Sequence, residues 1–348
     1  MMENAVRFLV FADFHYKKGM YAPTVGDLDA IMRRAAEEKV DFLIHAGDFC
    51  NDYTHSPEIT SRYLKNAEGL AVYGVYGNHE LESKGNIMPR VTPLLTNRLE
   101  SVTFGTADGR LGGGDIAYYF FDQAGFRFIF LDNNYSLNPA TGVWEHNKEA
   151  SWGPPAGNEK GNSLGPEQLS WLEKVLLDAA EKGLSCVLTS HSGYSGVWES
   201  APDADEVRAL FRKANAIRKN TVILAINGHY HTDHAAVVEN VLYFDVNTAI
   251  NGWWQPQREP HYAGDQTFLF TDYDGEGRPV SAIEKPLASL SMSPNTWFFA
   301  SPLSAVVTVS RDGKIEIEGT ETRWVYDLAP ENTSDGTRPA ITSGCYQL

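Results

Sequence analysis

The stretch Thr221-Val-Ile-Leu-Ala-Ile-Asn-Gly-His-Tyr-His231 sets a buried-strand run directly against a glycine and two histidines. A short apolar run of this length, bounded by a turn signal, reads as a strand covered on both faces. Gly228 allows the sharp turn that follows. The same construction occurs four times upstream. Arg7 to Ala12 leads into Asp13-Phe14-His15, and Phe42 to Ala46 into Gly47-Asp48. Ala71 to Tyr76 leads into Gly77-Asn78-His79-Glu80, and Cys186 to Ser190 into His191. Parallel strands with polar residues at their carboxyl ends gather those residues along one edge of a sheet. Here the gathered set is two Asp, one Asn and five His, more metal-binding side chains than a fold needs for support.

Those residue types point to a dinuclear metal site for phosphate ester chemistry. Two divalent ions about 3.5–4 Å apart clamp a phosphoryl group, activate water and stabilise the leaving oxygen. A pair that close needs a shared anionic ligand, and Asp48 suits that place. Neutral imidazoles add bonds without charge and favour Zn, Fe, Ni or Mn over Ca or Mg. The expected cofactor is therefore two divalent ions, of Mn, Fe or Zn. Asn78 could ligate only through its carbonyl oxygen.

In order and spacing the blocks resemble the calcineurin-like metallophosphoesterase superfamily, whose pattern runs D-x-H, GD-x-x-D, GNH-D/E, an isolated His, then GH-x-H. The resemblance covers residues 13 to 231. It implies an α/β fold of two packed mixed β-sheets flanked by helices, a four-layer sandwich. It further implies that Asp13, His15, Asp48 and His231 hold one ion and that Asp48, Asn78, His191 and His229 hold the other, with Asp48 bridging. His79 would face the substrate as the catalytic residue. One departure stands out: the family often places an Asp three residues after the bridging Asp to orient the catalytic His, and Asn51 stands there. Asp52 is adjacent and would serve if the loop were shifted by one residue. Glu80 is expected to support a histidine ligand from behind, and His45 reads as a core residue.

The rest of the chain agrees with an enzyme. Its 348 residues are 43% hydrophobic and 12% aromatic, ample for a large core. The net charge of −16 argues against long nucleic acid and anionic membranes as partners, yet leaves a small phosphorylated substrate open. Three scattered cysteines make no disulfide framework. The chain enters its first strand almost at once, without a signal peptide, and lacks an apolar run of membrane-spanning length, so the expected location is cytoplasmic. Oligomeric state is unread.

Helical periodicity marks Thr24 to Lys39 with Ile31, Ala35 and Ala36 inward, Leu164 to Lys182 ended by Gly183, and Asp203 to Lys219 with Val207, Leu210, Phe211, Ala214 and Ile217 inward. Beyond Thr232 the pattern is strands: a hairpin across Asn240, a pair flanking residues 274–277, and a pair flanking Arg311-Asp312-Gly313. These read as C-terminal β-hairpins of the second sheet and its edge. Residues 1–285 are expected to form the catalytic domain, with 286–348 a β extension and loose polar tail completing it. Three long segments, 133–162, 192–202 and 251–265, read as irregular loops near the site. Among their residues Trp144, Tyr194, Trp198, Trp253 and Arg258 are candidate substrate contacts.

The function expected is hydrolysis of a small phosphorylated substrate by a metal-bridging hydroxide. Leu164-Gly-Pro-Glu-Gln-Leu-Ser-Trp-Leu172 resembles a segment common in cyclic-nucleotide phosphodiesterases and favours that class. Phosphomonoesterase and nucleotide pyrophosphohydrolase are the alternatives within the same chemistry. A non-catalytic binding scaffold on the same fold is the alternative outside it.

Overall fold

The five ligand-bearing strands divide between two sheets in the computed structural model, which describes residues 5–16, 23–51, 56–67, 69–81, 95–105, 117–147, 157–196, 200–252, 267–273, 279–286, 297–324 and 338–348. In the six-stranded first sheet, β1 (Ala5–Phe11), β2 (Phe42–His45) and β3 (Ala71–Gly74) run parallel. β18 (Ala305–Ser310) pairs antiparallel with β1 and is followed by β19 (Lys314–Gly319) and β20 (Gly344–Gln347). The seven-stranded second sheet has the order β12-β13-β11-β10-β6-β5-β4. Its strands are β4 (Thr103–Phe104), β5 (Tyr119–Gln123), β6 (Phe126–Phe130), β10 (Ser185–Thr189), β11 (Val222–Asn227), β12 (His234–Val238) and β13 (Val241–Asp245). Here β6, β10, β11 and β13 are parallel neighbours.

Alternation along the strands explains why the sheets stack. In β1, Phe8 faces the second sheet and meets Phe128 edge-on at 5.7 Å, whereas Phe11 faces the other way and meets Tyr63 at 6.2 Å. In β6, Phe126, Phe128 and Phe130 enter the core between the sheets, while Ile129 lies in a separate cluster outside. Phe42, Tyr73, Phe121 and Phe128 pack as aromatic pairs across the interface.

Helices α1 (Val25–Glu37) and α2 (Ser56–Asn66) lie on the first sheet's outer side: Arg34 bonds the carbonyls of Ser304 and Glu318, and Tyr63 rests on Phe11. Helices α3 (Gly165–Glu181) and α4 (Ala204–Ile217) cover the second sheet, where Leu172, Leu176, Val207 and Phe211 join Ile129, Cys186 and Leu188. Thr24 and Asp27 form a reciprocal cap at the start of α1. The layers are helix, sheet, sheet, helix.

Several expectations need correction. The ligand strands do not share one sheet edge: β1, β2 and β3 belong to one sheet, β10 and β11 to the other. The hairpin across Arg311-Asp312-Gly313 joins the first sheet beside β1, because β1 carries an open edge there. The pair flanking 274–277, β15 (Thr267–Tyr273) and β16 (Pro279–Pro286), makes a ribbon of its own, as does β14 (Asn251–Gly252) with β17 (Trp297–Phe298). The segment expected as an irregular loop after Asn133 holds a three-stranded sheet of β7 (Tyr135–Asn138), β8 (Val143–His146) and β9 (Glu159–Ser163). The polar tail ends in β20. Ala36 and Ile217 are exposed, since the buried stripe of α1 runs through Val25, Leu28, Ile31, Met32 and Ala35 and that of α4 ends at Ala214.

Candidate metal centre

Past β1 and β2 the chain continues side by side in two loops. Asp13 N–H donates to Gly47 O at 3.0 Å and His15 N–H to Asp48 O at 2.8 Å. The loop after β11 joins them when His229 N–H donates to both Asp13 carboxylate oxygens, at 3.1 and 3.0 Å. Backbone conformation sets these side chains apart from the strands behind them. Asp13, His15, Asp48, His229 and His231 all have positive φ, between 49° and 70°. Each such non-glycine residue costs on the order of 1–3 kcal/mol, and a cluster of them marks a site held in place by its surroundings.

Asp13, His15 and His231 form one trio of potential ligands; Asp48, His191 and His229 form another. His15 Nε2 lies 3.1 Å from His231 Nε2, which is 3.3 Å from Asp13 Oδ1. His191 Nε2 lies 3.2 Å from both His229 Nδ1 and Asp48 Oδ2. Asp48 Oδ2 is also 3.8 Å from His15 Nε2, so this one oxygen stands between the two trios. Asn78 Oδ1 is buried with no hydrogen-bond partner among the described residues. An unsatisfied buried carbonyl on the residue directly before His79, in one of the converging loops, fits a cation ligand.

The electrostatics agree. Burial alone would raise the Asp48 pKa, but His191, His79 and His15 together outweigh it and hold the carboxylate well below its usual range. Burial works against a charged His191 too, yet the Asp48 charge and hydrogen bond carry its pKa up to about 10. Its neighbour His229 is pushed down to about 4 by burial and then by His191. Burial and then His79 lower His15 well below the ordinary histidine value. His15 and His229 are thus held in the neutral form that a metal ligand requires, while His191 would give up its proton to a metal.

His79 sits at the rim of both trios. Its Nε2 is 3.9 Å from Asp48 Oδ2, and its backbone N–H donates to Asp48 Oδ1 at 2.9 Å. With His15 and Asp48 it makes a third possible ligand trio, so proximity alone does not separate it from the ligands. Its Nδ1 lies 2.9 Å from the backbone carbonyl of Asn51, which sets Nδ1 as the protonated nitrogen and turns Nε2 toward the site. The Asn51 side chain, expected to orient His79, does not supply this contact; Asn51 Oδ1 is buried without a partner among the described residues.

Glu80 also differs from expectation. Among the described residues its hydrogen bonds run to the backbone N–H groups of Asp48 (2.9 Å), Cys50 (3.1 Å) and Gly77 (2.7 Å) and to the Cys50 thiol (3.7 Å), tying two ligand loops together, and not to a histidine ring. Burial and then the Asp48 charge raise its pKa to about 7. The close fit of these loops leaves Gly77 no room for a side chain: a methyl group there would strike the Asp48 carboxylate.

Tyr194, expected to face a substrate, is 1% exposed, and its hydroxyl accepts from Asn133 Nδ2 at 2.5 Å. Trp144 lies half-buried on β8 against Gly165. Asp52, Trp198, Trp253 and Arg258 lie outside the described residues. Sequence reasoning missed Asp132, Asn133 and Asn134, all buried beside the site. The available signal was the one used elsewhere: polar residues directly after an apolar strand, here Phe126 to Leu131.

A model of the calcineurin-like phosphoesterase family matches residues 6–233, well over half of the chain. The chain belongs to that family, whose members typically use a dinuclear metal site. Among solved structures, a dimetal phosphatase from Danio rerio is similar in fold, with a TM-score of 0.55 and 16% identity over 91% of this chain and 96% of that one. Purple acid phosphatase PPD1 from yellow lupin seeds aligns at a TM-score of 0.45 and 13% identity, covering 93% of this chain and 52% of that one. GAP50 of Plasmodium aligns at 0.44 and 12%, covering 94% and 86%. No curated protein matched the sequence.

Proposed function

We propose that the protein is a dinuclear-metal-dependent phosphoesterase acting on a small phosphorylated substrate, and that the substrate is a phosphodiester of the cyclic-nucleotide type. In this reading Asp13, His15, Asp48 and His231 hold one ion, Asp48, Asn78, His191 and His229 hold the other, and His79 serves the substrate. The observation that carries it is Asp48 Oδ2, placed between two trios of ligand atoms beside the unsatisfied Asn78 carbonyl.

When bound, two divalent ions supply positive charge for the phosphoryl oxygens and the acidity that makes water a nucleophile at neutral pH. The chain's own residues do the rest. Asp48 is kept ionised by the histidines around it. Asn51 O holds the His79 ring with Nε2 turned toward the site, where it would meet a leaving oxygen or a phosphoryl oxygen. Glu80 fixes the spacing of the Asp48 and Gly77 loops through three backbone amides. Among the described residues no helix is long and apolar enough to cross a membrane, and no disulfide forms. A cytoplasmic location belongs to this reading, as does a domain completed by the C-terminal strands.

The test is hydrolysis of bis-p-nitrophenyl phosphate and p-nitrophenyl phosphate with added Mn, alongside His79→Ala and Asp48→Ala. The expected result is preference for the diester, with His79→Ala keeping its metals but losing about 10²–10⁴ in turnover, and Asp48→Ala losing both. Preference for the monoester shifts the assignment to a phosphomonoesterase. Bound metal without cleavage of either ester overturns the enzymatic reading in favour of a scaffold.

A further inference from the structure

Three consecutive buried polar residues follow β6, and each is bonded to a different part of the chain. β6 and β10 are parallel neighbours, with Phe130 opposite Thr189 and Leu131 N–H donating to Thr189 O at 2.9 Å. The loop leaving β6 therefore runs beside the loop that carries His191. Asn133 Oδ1 accepts from the backbone N–H groups of His191 (3.1 Å) and Ser192 (3.2 Å), while its Nδ2 donates to the Tyr194 hydroxyl. A side-chain amide suits this place, because its oxygen has two acceptor positions while its nitrogen donates the third bond. On its other side, the His191 carbonyl accepts from Gly228 N–H at 3.1 Å. Asn133 and Gly228 thus grip the His191 backbone from opposite directions.

Asn134 reaches the strand end that leads to a second candidate ligand of the same ion, Asn78. Its Nδ2 donates to the carbonyl of Tyr76 at 3.3 Å, two residues before Asn78. Asp132 anchors the segment: Oδ1 accepts from Asn134 N–H and Nδ2, and Oδ2 lies 2.8 Å from His146 Nε2 on β8. Gln168 of α3 clamps the Asp132 backbone on both sides, at 2.9 and 2.8 Å. A strand end needs none of these groups for its own stability, yet two of the three side chains are directed at ligand-bearing loops.

We infer that Asp132-Asn133-Asn134 is a positioning element that sets the second ion's candidate ligands, His191 and Asn78, from behind. The inference rests on the proposed dinuclear reading. Residues that orient metal ligands through hydrogen bonds change metal affinity by about 10- to 100-fold when replaced. The effect should fall on one ion, because the segment's side-chain bonds run to Tyr76, His146, His191, Ser192 and Tyr194 and to its own backbone, on the second ion's side of the site.

Mn(II) titration of the chelator-treated full-length protein, followed by electron paramagnetic resonance, counts ions and separates an isolated ion from a spin-coupled pair. Wild type should take two equivalents and show the coupled spectrum. Asn133→Ala should bind the first equivalent normally and the second about 10- to 100-fold more weakly, keeping an isolated-ion spectrum past one equivalent. Asn133→Asp retains both acceptor positions and should restore the second ion. Arg127→Met perturbs the far end of β6, where Arg127 bonds Asp122 and Asp178, and should lower the melting temperature without altering the titration. If Asn133→Ala does not fold, Asn134→Ala carries the same test through Asn78. Normal second-ion binding in the folded alanine variant, or an equal loss in Arg127→Met, overturns the inference. A wild-type protein that binds one ion or none overturns the dinuclear reading itself, before any variant is compared.

Discussion

Replacing Glu80 with Gln tests how the ligand loops are held. In wild type, Oε2 accepts from Asp48 and Gly77 N–H and Oε1 from Cys50 N–H. Glutamine keeps one oxygen, enough for the Asp48 and Gly77 amides, and turns its NH₂ toward the Cys50 amide. Leaving that buried donor unsatisfied costs about 1–3 kcal/mol. A second effect depends on pH. The Glu80 pKa is raised to about 7 in the folded protein, from an ordinary value of 4.5. Its protonation therefore contributes stability that is fully present below the unfolded pKa and is lost as pH rises through the folded one. Between pH 5 and pH 8 the loss comes to about 2–3 kcal/mol. Glutamine has no proton to lose, so it escapes this term. In chelator-treated protein, urea unfolding followed by circular dichroism should show Glu80→Gln less stable than wild type at pH 5, with the deficit shrinking by about 2–3 kcal/mol at pH 8. His191 and His229 also titrate in both proteins, and comparing the two proteins at both pH values isolates the part that depends on Glu80. A deficit that stays constant or grows with pH would refute the reasoning.

Three further outcomes are expected. Gly77→Ala drives a methyl group into the Asp48 carboxylate and should weaken binding of both ions by at least about tenfold, read by Mn titration of the folded protein. Asn51→Asp should leave turnover within about threefold of wild type, because His79 Nδ1 bonds the Asn51 backbone carbonyl, which the substitution preserves. A large gain would show that a side-chain carboxylate reaches His79 after all. Removing metal with a chelator should lower the urea midpoint, since each ion held at 100 times its Kd adds about 2.7 kcal/mol; an unchanged midpoint would count against native-state metal binding.

The candidate ligands were legible because their signal is local. A strand's apolar run and the polar residue at its end are covalent neighbours, so Asp13, Asp48, Asn78, His191 and His229 could be placed at strand ends without knowing what those strands pair with. The same holds for the helices, whose caps and periodicity lie within a few residues: Thr24 with Asp27 at one start, Gly183 with φ of +71° at one end.

Partnership across long separations was settled by tertiary structure alone. β1 pairs with β18, about three hundred residues away in the chain, and no local pattern states which open edge a distant hairpin will fill. The direction of a polar side chain has the same origin. Tyr194 turns inward because Asn133 lies on a neighbouring parallel strand's loop, and Glu80 bonds amides because two loops converge on it. From the sequence, residue types and their places at strand ends follow directly, because both depend on neighbours in the chain. Which donors each side chain meets depends on strand order and register, and those exist only once the sheets have formed.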